Sequence, residues 1–306
     1  MTRFLAVRFL VSLLTFWLTV SLVFFLVRLA PGGPFDDERR LPPEVEANLL
    51  AAYNLDQPLH RQYVDYLGML ICGDLGPSFK QKDFSVGDLI RAGLPVSLTV
   101  GLSALGLALI VGVALGAAAG LRAGSFVDSL VMSIANFGIA LPSIVLAPLA
   151  VLVFAVWLGW LPAGGTGTLR HFVLPSLALS LPFVAAIARL TRGSIAETVL
   201  EPHVMTARAK GIPDHQILRR HILPIALLPV LSFLGPAAAA LLTGSVVIEQ
   251  VFELPGIGRY FVQAALNRDY TLVMGVVVVY AAFILLFNLL VDVCYARLDP
   301  RIRLTA

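Results

Sequence analysis

Charge is what this chain has least of. Asp, Glu, Lys and Arg make up 13% of its 306 residues, about half the share of an ordinary soluble domain. Hydrophobic residues make up 58%, and the mean hydropathy is +0.88. A chain of that balance is an integral membrane protein. Cysteine is nearly absent too. Cys72 and Cys294 fall on opposite sides of the membrane in the topology below, so they do not pair within one chain, and neither metal spacing nor a redox pair is present. No GxxxxGK[ST] phosphate loop occurs, which excludes ATP hydrolysis by the usual route. HExxH is missing, none of the five histidines lies deep in an apolar run, and Gly244-Ser245 has no histidine facing it. An enzyme is therefore disfavoured. No run carries an ionisable residue at mid-depth, as proton or sodium coupling would require. The net charge of +3 and pI near 9.0 do not point to nucleic acid, because the basic residues lie between apolar runs and read as topology signals.

What is present is six apolar runs of about the 20 residues needed to cross a bilayer. They lie at 9–27, within 92–121, within 129–158, and at 172–190, 225–248 and 270–291. The first resembles a signal peptide at its start, but the run is too long and no small-x-small site follows, so it is expected to stay as an anchor. In the second, Gly112, Gly116 and Gly120 put small residues four apart on one face, which predicts close approach of another helix. In the third, Pro142 and Pro148 predict kinks.

Residues 31–91 hold ten acidic and six basic residues and read as an ordered region outside the membrane. A helix from Pro42 carries Val45, Leu49 and Ala52 on one face. Another opens at Pro58 with a stripe of Leu59, Tyr63, Tyr66, Leu67 and Leu70. The segment 73–77 is turn chemistry, and Ser85 is placed to cap a short helix through Ile90 that leads into the second run. Residues 249–269 read as a short turn-rich segment.

The short loops set the orientation. Arg3, Arg8, Arg122, Arg189, Arg192, Arg208, Lys210, Arg219, Arg220, Arg297, Arg301 and Arg303 share one side, 12 of the 22 Lys and Arg. That side is placed in the cytosol, with both termini. The domain plan is then an anchor at 1–30, an external region at 31–91, and a five-helix core at 92–306. Within it, residues 193–224 form a basic loop.

The centre of that loop predicts a helix, a sharp bend and a helix. Pro202 suits a first turn, 204–210 is helix-compatible, Gly211 and Pro213 end it, and Asp214 is placed to cap the next helix. Small side chains at Ala207, Ala209 and Gly211 suit close docking in a groove of another protein. A basic loop resting on anionic lipid is the plainer reading. Sparse polar residues in the runs, Asn136, Ser143, Thr243, Ser245 and Asn288, are candidates for a pathway lining or for ordinary helix-to-helix hydrogen bonds. Asp292, Arg297 and Asp299 suit a structural clasp.

The loop resembles the ATPase-docking loop of ABC importer permeases, EAA-x3-G-x9-IxLP. Here Met205-Thr206-Ala207, Gly211 and His221-Ile222-Leu223-Pro224 stand in register. The form TARAKG, from Thr206 through Arg208, Ala209 and Lys210 to Gly211, is similar to that of the dipeptide, oligopeptide and nickel branch. Further segments resemble the B subunit of oligopeptide permeases: LAPGGPF at 29–35, LPPEV at 41–45, GPSFK at 76–80, ARLTRGS at 188–194, LPGIG at 254–258, NRDY at 267–270 and DPRIR at 299–303. The resemblance implies an all-α, polytopic type I ABC importer permease with six transmembrane helices in a bacterial inner membrane. It implies a homologous second permease, two ATPase subunits that bind ATP and Mg, and an external peptide-binding protein. No cofactor is expected on this chain. Docking is expected at Thr206, Ala207, Arg208, Ala209, Lys210, Gly211, Pro213, Leu223 and Pro224. An outer gate is expected at Glu249, Pro255, Gly256 and Gly258, although the glycines suit a plain turn equally well. Import of dipeptides, nickel or glutathione by the same machinery is the near alternative. A stand-alone channel or secondary carrier, and a structural scaffold, are rivals from other classes.

Overall fold

The computed structural model describes residues 2–30, 54–81 and 83–298. Among these the chain is helical apart from turns and one isolated bridge between Pro77 and Ser85. The helices are α1 (Thr2–Leu29), α2 (Leu59–Ile71), α3 (Val86–Gly120), α4 (Phe126–Ala140), α5 (Ser143–Ala150), α6 (Val173–Thr198), α7 (Pro202–Ala209), α8 (Asp214–Ile217), α9 (Leu223–Ala226), α10 (Leu228–Val251), α11 (Ile257–Leu266) and α12 (Tyr270–Leu298). π-helical turns extend α5 over Val151–Trp157 and join α8 to α9 over Leu218–Ile222. The helix expected at 42–52 and the motifs at 31–35, 41–45 and 299–303 lie outside the described residues.

Among the described residues, five helical stretches are long and apolar enough to cross a membrane: Ala6–Leu29, Val86–Gly120, Leu169–Thr198, where a 3-10 turn over Leu169–Phe172 runs into α6, Leu228–Val251 and Tyr270–Cys294. The expected third run is not one kinked helix. It is a pair, Phe126–Ala140 and Ser143–Trp157, bent by 102°, and it makes a sixth span only when the two halves are counted together. The break falls at Leu141 and Pro142. Leu141 is extended at φ −90° and ψ 117°, the conformation that a following proline imposes by clashing with the α region. Pro148 sits inside α5 without ending it.

Two further expectations are corrected. The short helix expected from Ser85 to Ile90 is the start of α3 itself. Ser85 and Asp88 form a capping box, with Asp88 N donating to Ser85 Oγ at 3.1 Å and Ser85 N to Asp88 Oδ2 at 3.2 Å. The helix then runs 35 residues unbroken through Pro95, about 50 Å, longer than a hydrocarbon layer of about 30 Å. Second, residues 249–269 contain α11, an amphipathic helix that buries Ile257, Gly258 and Ala264.

The glycine stripe of α3 does what its spacing predicts. A Cβ at Gly112 would stand 2.9 Å from Ile187 Cβ, one at Gly116 would overlap Ala188 O, and one at Gly120 would stand 2.8 Å from Arg192 O. α3 and α6 therefore touch backbone to backbone along their second halves. α2 packs as its stripe predicts except at Leu59, which is exposed. Tyr66 is buried with Phe24, Val20, Met274 and Val278, and Tyr63, Leu67 and Leu70 pack around them, fastening α2 onto α1 and α12. Arg28 closes this contact, its guanidinium 3.8 Å from the Phe24 ring centroid and its Nε donating to Gln62 Oε1 at 2.8 Å. Burial here pushes the Tyr66 hydroxyl up to about 12.

Candidate functional site

Residues 199–226 fold into a small unit whose core is completed by the ends of α6 and α3. Ile195, Val204, Ala207, Ile217, Ile222 and Ala226 are buried together, and Ala117, Val199, Ile212, Leu218 and Leu223 pack around them. Pro202 opens α7 at its first turn, and Thr206 Oγ1 donates back to Pro202 O at 2.8 Å. The helix stops as predicted. Gly211 has φ +74°, its N–H donates to Arg208 O at 2.9 Å, and Ile212 N donates to Ala207 O at 3.2 Å. These two crossed bonds, with Ile212 packed back on the core, form a Schellman stop, which needs the left-handed conformation that glycine adopts freely. Pro213 starts the second helix.

Two details differ from the sequence reading. Asp214 caps nothing with its side chain, but its carboxylate lies 3.5 Å from Arg208 Nε across the bend. Ala207 is buried in the unit's own core and is not part of an outer contact face. The exposed residues include Met205, Thr206, Arg208, Ala209 and Lys210 on α7 and the turn after it, then Gly211 and Pro213, Asp214, His215 and Gln216 on α8, and Arg219, Arg220 and Pro224 beyond; Leu223 is half-buried.

At the other end of α3 and α10, Glu249, Gly256 and Gly258 are buried together, while Pro255 is exposed. Glu249 is fully buried. Its Oε1 accepts from Ser97 Oγ at 2.6 Å and lies 2.8 Å from Ser245 Oγ, and its Oε2 accepts from Arg259 N at 3.2 Å. Ser97 Oγ in turn accepts from Ile257 N at 2.9 Å. One carboxylate thus joins α3, α10 and the amino end of α11, where exposed N–H groups favour an anion. The glycines are there for space. A Cβ at Gly256 would overlap the Glu249 carboxylate, and one at Gly258 would stand 2.7 Å from Val246 Cα.

The candidate lining residues are scattered. Asn136 is exposed on α4, Ser143 is the half-buried first residue of α5, and Thr243 is half-buried and bonds Ala239 O at 3.0 Å. Asn288 lies on α12 facing Gly235. Ser245 is corrected. It is buried in the Glu249 knot and offers nothing to a solute in this conformation. In the expected clasp, Asp292 pairs instead with Arg8 at 3.5 Å; Arg297 and Asp299 lie outside the described side chains.

Two pairings had no signal in the sequence reading. Arg192, taken as a topology charge, grips Asp128 with Nε on Oδ1 at 2.9 Å and Nη2 on Oδ2 at 2.6 Å. Asp269 is buried at the start of α12, where it accepts from Leu272 N at 3.2 Å, Phe79 N at 3.2 Å and the Ser78 hydroxyl. That joins two of the resemblance motifs, GPSFK and NRDY, into one contact.

Residues 112–304 match the family described as the binding-protein-dependent transport system inner membrane component. The chain is 49% identical over 305 residues to the oligopeptide transport system permease protein OppB of Escherichia coli K12, covering 99% of this chain and 100% of that one. It is 50% identical to the OppB of Salmonella typhimurium over the same shares. It is 42% identical to the dipeptide transport system permease protein DppB of Bacillus subtilis, covering 99% of each. Among solved structures, a chain of an amino acid ABC transporter with histidines superposes with a TM-score of 0.54 at 19% identity, over 69% of this chain and 94% of that one. A chain of the inward-facing MetNI methionine ABC transporter gives 0.53 at 21%, over 69% and 96%.

Proposed function

The chain belongs to the family of binding-protein-dependent transport system inner membrane components, and from that premise we propose that it forms half of the pathway of an ATP-driven oligopeptide importer. It is a membrane-spanning permease subunit of the ABC type, a transport component and not an enzyme. Oligopeptides are favoured over dipeptides by 49–50% identity to the OppB proteins against 42% to a DppB. The other half is a homologous second permease, because a single bundle with so few polar side chains has little with which to surround a hydrated peptide. Two cytosolic ATPases bind the ATP and Mg, and a binding protein delivers peptide from outside.

The observation that carries this reading is the 199–226 unit. It has a core built onto the ends of α6 and α3, a Schellman stop at Gly211, and a polar and basic outer face on two short helices. A loop that only rested on lipid would need no such core. Thr206, Arg208, Ala209, Lys210, Gly211, Pro213 and Pro224 are the docking face; Ala207 and Leu223 hold its shape. The basic short loops support a cytosolic position for this face and for both termini, which puts α2 outside. Glu249, Gly256 and Gly258 hold the outer mouth, and Asn136, Ser143, Thr243 and Asn288 are this half's candidates for the pathway.

Purification in mild detergent tests the docking. The ATPases are expected to remain with the chain and to be lost when residues 206–213 are deleted, with the second permease still bound. ATPases that stay on the deleted form contradict the proposal.

A further inference from the structure

The Asp128–Arg192 fork lies between the proposed docking unit and the helix pair that bends by 102°. Asp128 is 4% exposed at the start of α4. Besides the two bonds from Arg192, its Oδ2 accepts from Gly124 N at 2.9 Å. Arg192 lies on α6, three residues before Ile195, which is fully buried in the core of the 199–226 unit. A bidentate guanidinium–carboxylate pair fixes both distance and orientation, which a lysine or a single hydrogen bond does not.

α3 and α6 need no fork to hold them together, since the glycine stripe already brings their backbones into contact. What the fork adds is a fixed polar anchor at the first turn of α4, which also packs along α6 and α3. α4 is held to α6 again further along, where the space beside Gly138 is closed by Ala185 Cβ at 3.7 Å. It ends two residues after Gly138, just before the Leu141 and Pro142 break. A movement of the docking unit that displaces Ile195 therefore displaces Arg192, and Arg192 turns the base of the helix that carries Asn136 and leads to the break.

We infer that Asp128 and Arg192 are positioning residues that pass movement of the docking unit to α4, so that the fork sets how much uptake follows each ATP hydrolysed. The inference rests on the importer reading above. Neither residue belongs to the docking face or to the pathway candidates named above.

The test uses the complete complex of both permeases and ATPases in proteoliposomes with the binding protein added, comparing wild type with Arg192→Lys and Asp128→Asn. Arg192→Lys keeps the charge and loses the fork. Asp128→Asn keeps an acceptor for Gly124 N. Peptide imported per ATP hydrolysed is expected to fall about two- to thirty-fold, the range for substitutions along a coupling route, with hydrolysis and ATPase binding retained. The double variant is expected to lose no more than the worse single one, because each removes the same link. Unchanged uptake per ATP in both variants overturns the inference. So does an equal fall of hydrolysis and uptake, which would make the fork a structural clasp alone. Failure of the wild-type complex to import any peptide on ATP addition counts against the importer reading instead.

Discussion

Gly211→Val is expected to leave the chain inserted and paired with its fellow permease, yet to abolish ATPase docking or uncouple hydrolysis from uptake. The side chain itself meets no obstacle, because a Cβ at Gly211 has nothing within 4 Å. The damage is in the backbone. At φ +74° a non-glycine residue costs about 1–2 kcal/mol, and a β-branched one resists most. Relaxing that strain breaks the bonds from Gly211 N to Arg208 O and from Ile212 N to Ala207 O, which re-aims α8 relative to α7. Gly211→Asn separates geometry from contact, since asparagine tolerates this conformation better than other residues with a side chain. Copurified ATPase and ATP-dependent peptide uptake are the readouts, with Asn expected near wild type and Val near background. Unmodified uptake and binding in Gly211→Val would reduce the loop to a basic connector on the lipid.

The second large effect is expected at Glu249. Glu249→Ala takes the acceptor from the hydroxyl of Ser97 and from the N–H of Arg259 at a fully buried position, while Ser245 Oγ keeps Leu242 O at 2.8 Å. Each of these two stranded groups costs about 1–3 kcal/mol, so a loss of about 2 kcal/mol or more is expected, concentrated at the ends of α3, α10 and α11. Glu249→Gln still offers an oxygen to the serines but turns a donor toward the Arg259 N–H when Oε1 is kept in place. It should fall between Ala and wild type. Thermal unfolding of the purified chain in detergent orders the three. An Ala variant as stable as wild type would mean that the carboxylate is not what joins these helices.

Local chemistry was legible in the sequence where one short segment contains all of its own determinants. Pro202, Gly211 and Pro213 announced a helix, a stop and a restart, and the structure has them with a left-handed Gly211. The stripe of Gly112, Gly116 and Gly120 announced a close helix neighbour because helical period alone places them on one face. The spans were legible from length and apolarity, and the break at Pro142 in outline, but its sharpness was not. Whether a proline bends a helix or ends it depends on what packs against the freed backbone.

The long-range polar contacts were not legible at all. Ser97 and Glu249 are 152 residues apart, Ser78 and Asp269 are 191 apart, and Asp128 and Arg192 are 64 apart. No spacing rule links such residues, and Arg192 satisfied the topology argument equally well as a free charge. α11 carries its own signal, with Ile257, Tyr260, Phe261 and Ala264 at helical spacing, but Gly256 and Asn267 at its two ends obscure it. The small size of Ala207 suits close contact on either face of a short helix, so sequence alone does not say whether it faces outward. Only the packing on Ile195 and Ile217 tells which face is inward.

The most direct measurement is uptake of labelled oligopeptide into vesicles that contain this chain, its fellow permease and the two ATPases, with the binding protein on the outside and ATP supplied within. The importer account predicts accumulation that depends on ATP and is lost when this chain alone is omitted. Accumulation without ATP, or at the same rate without this chain, would contradict it.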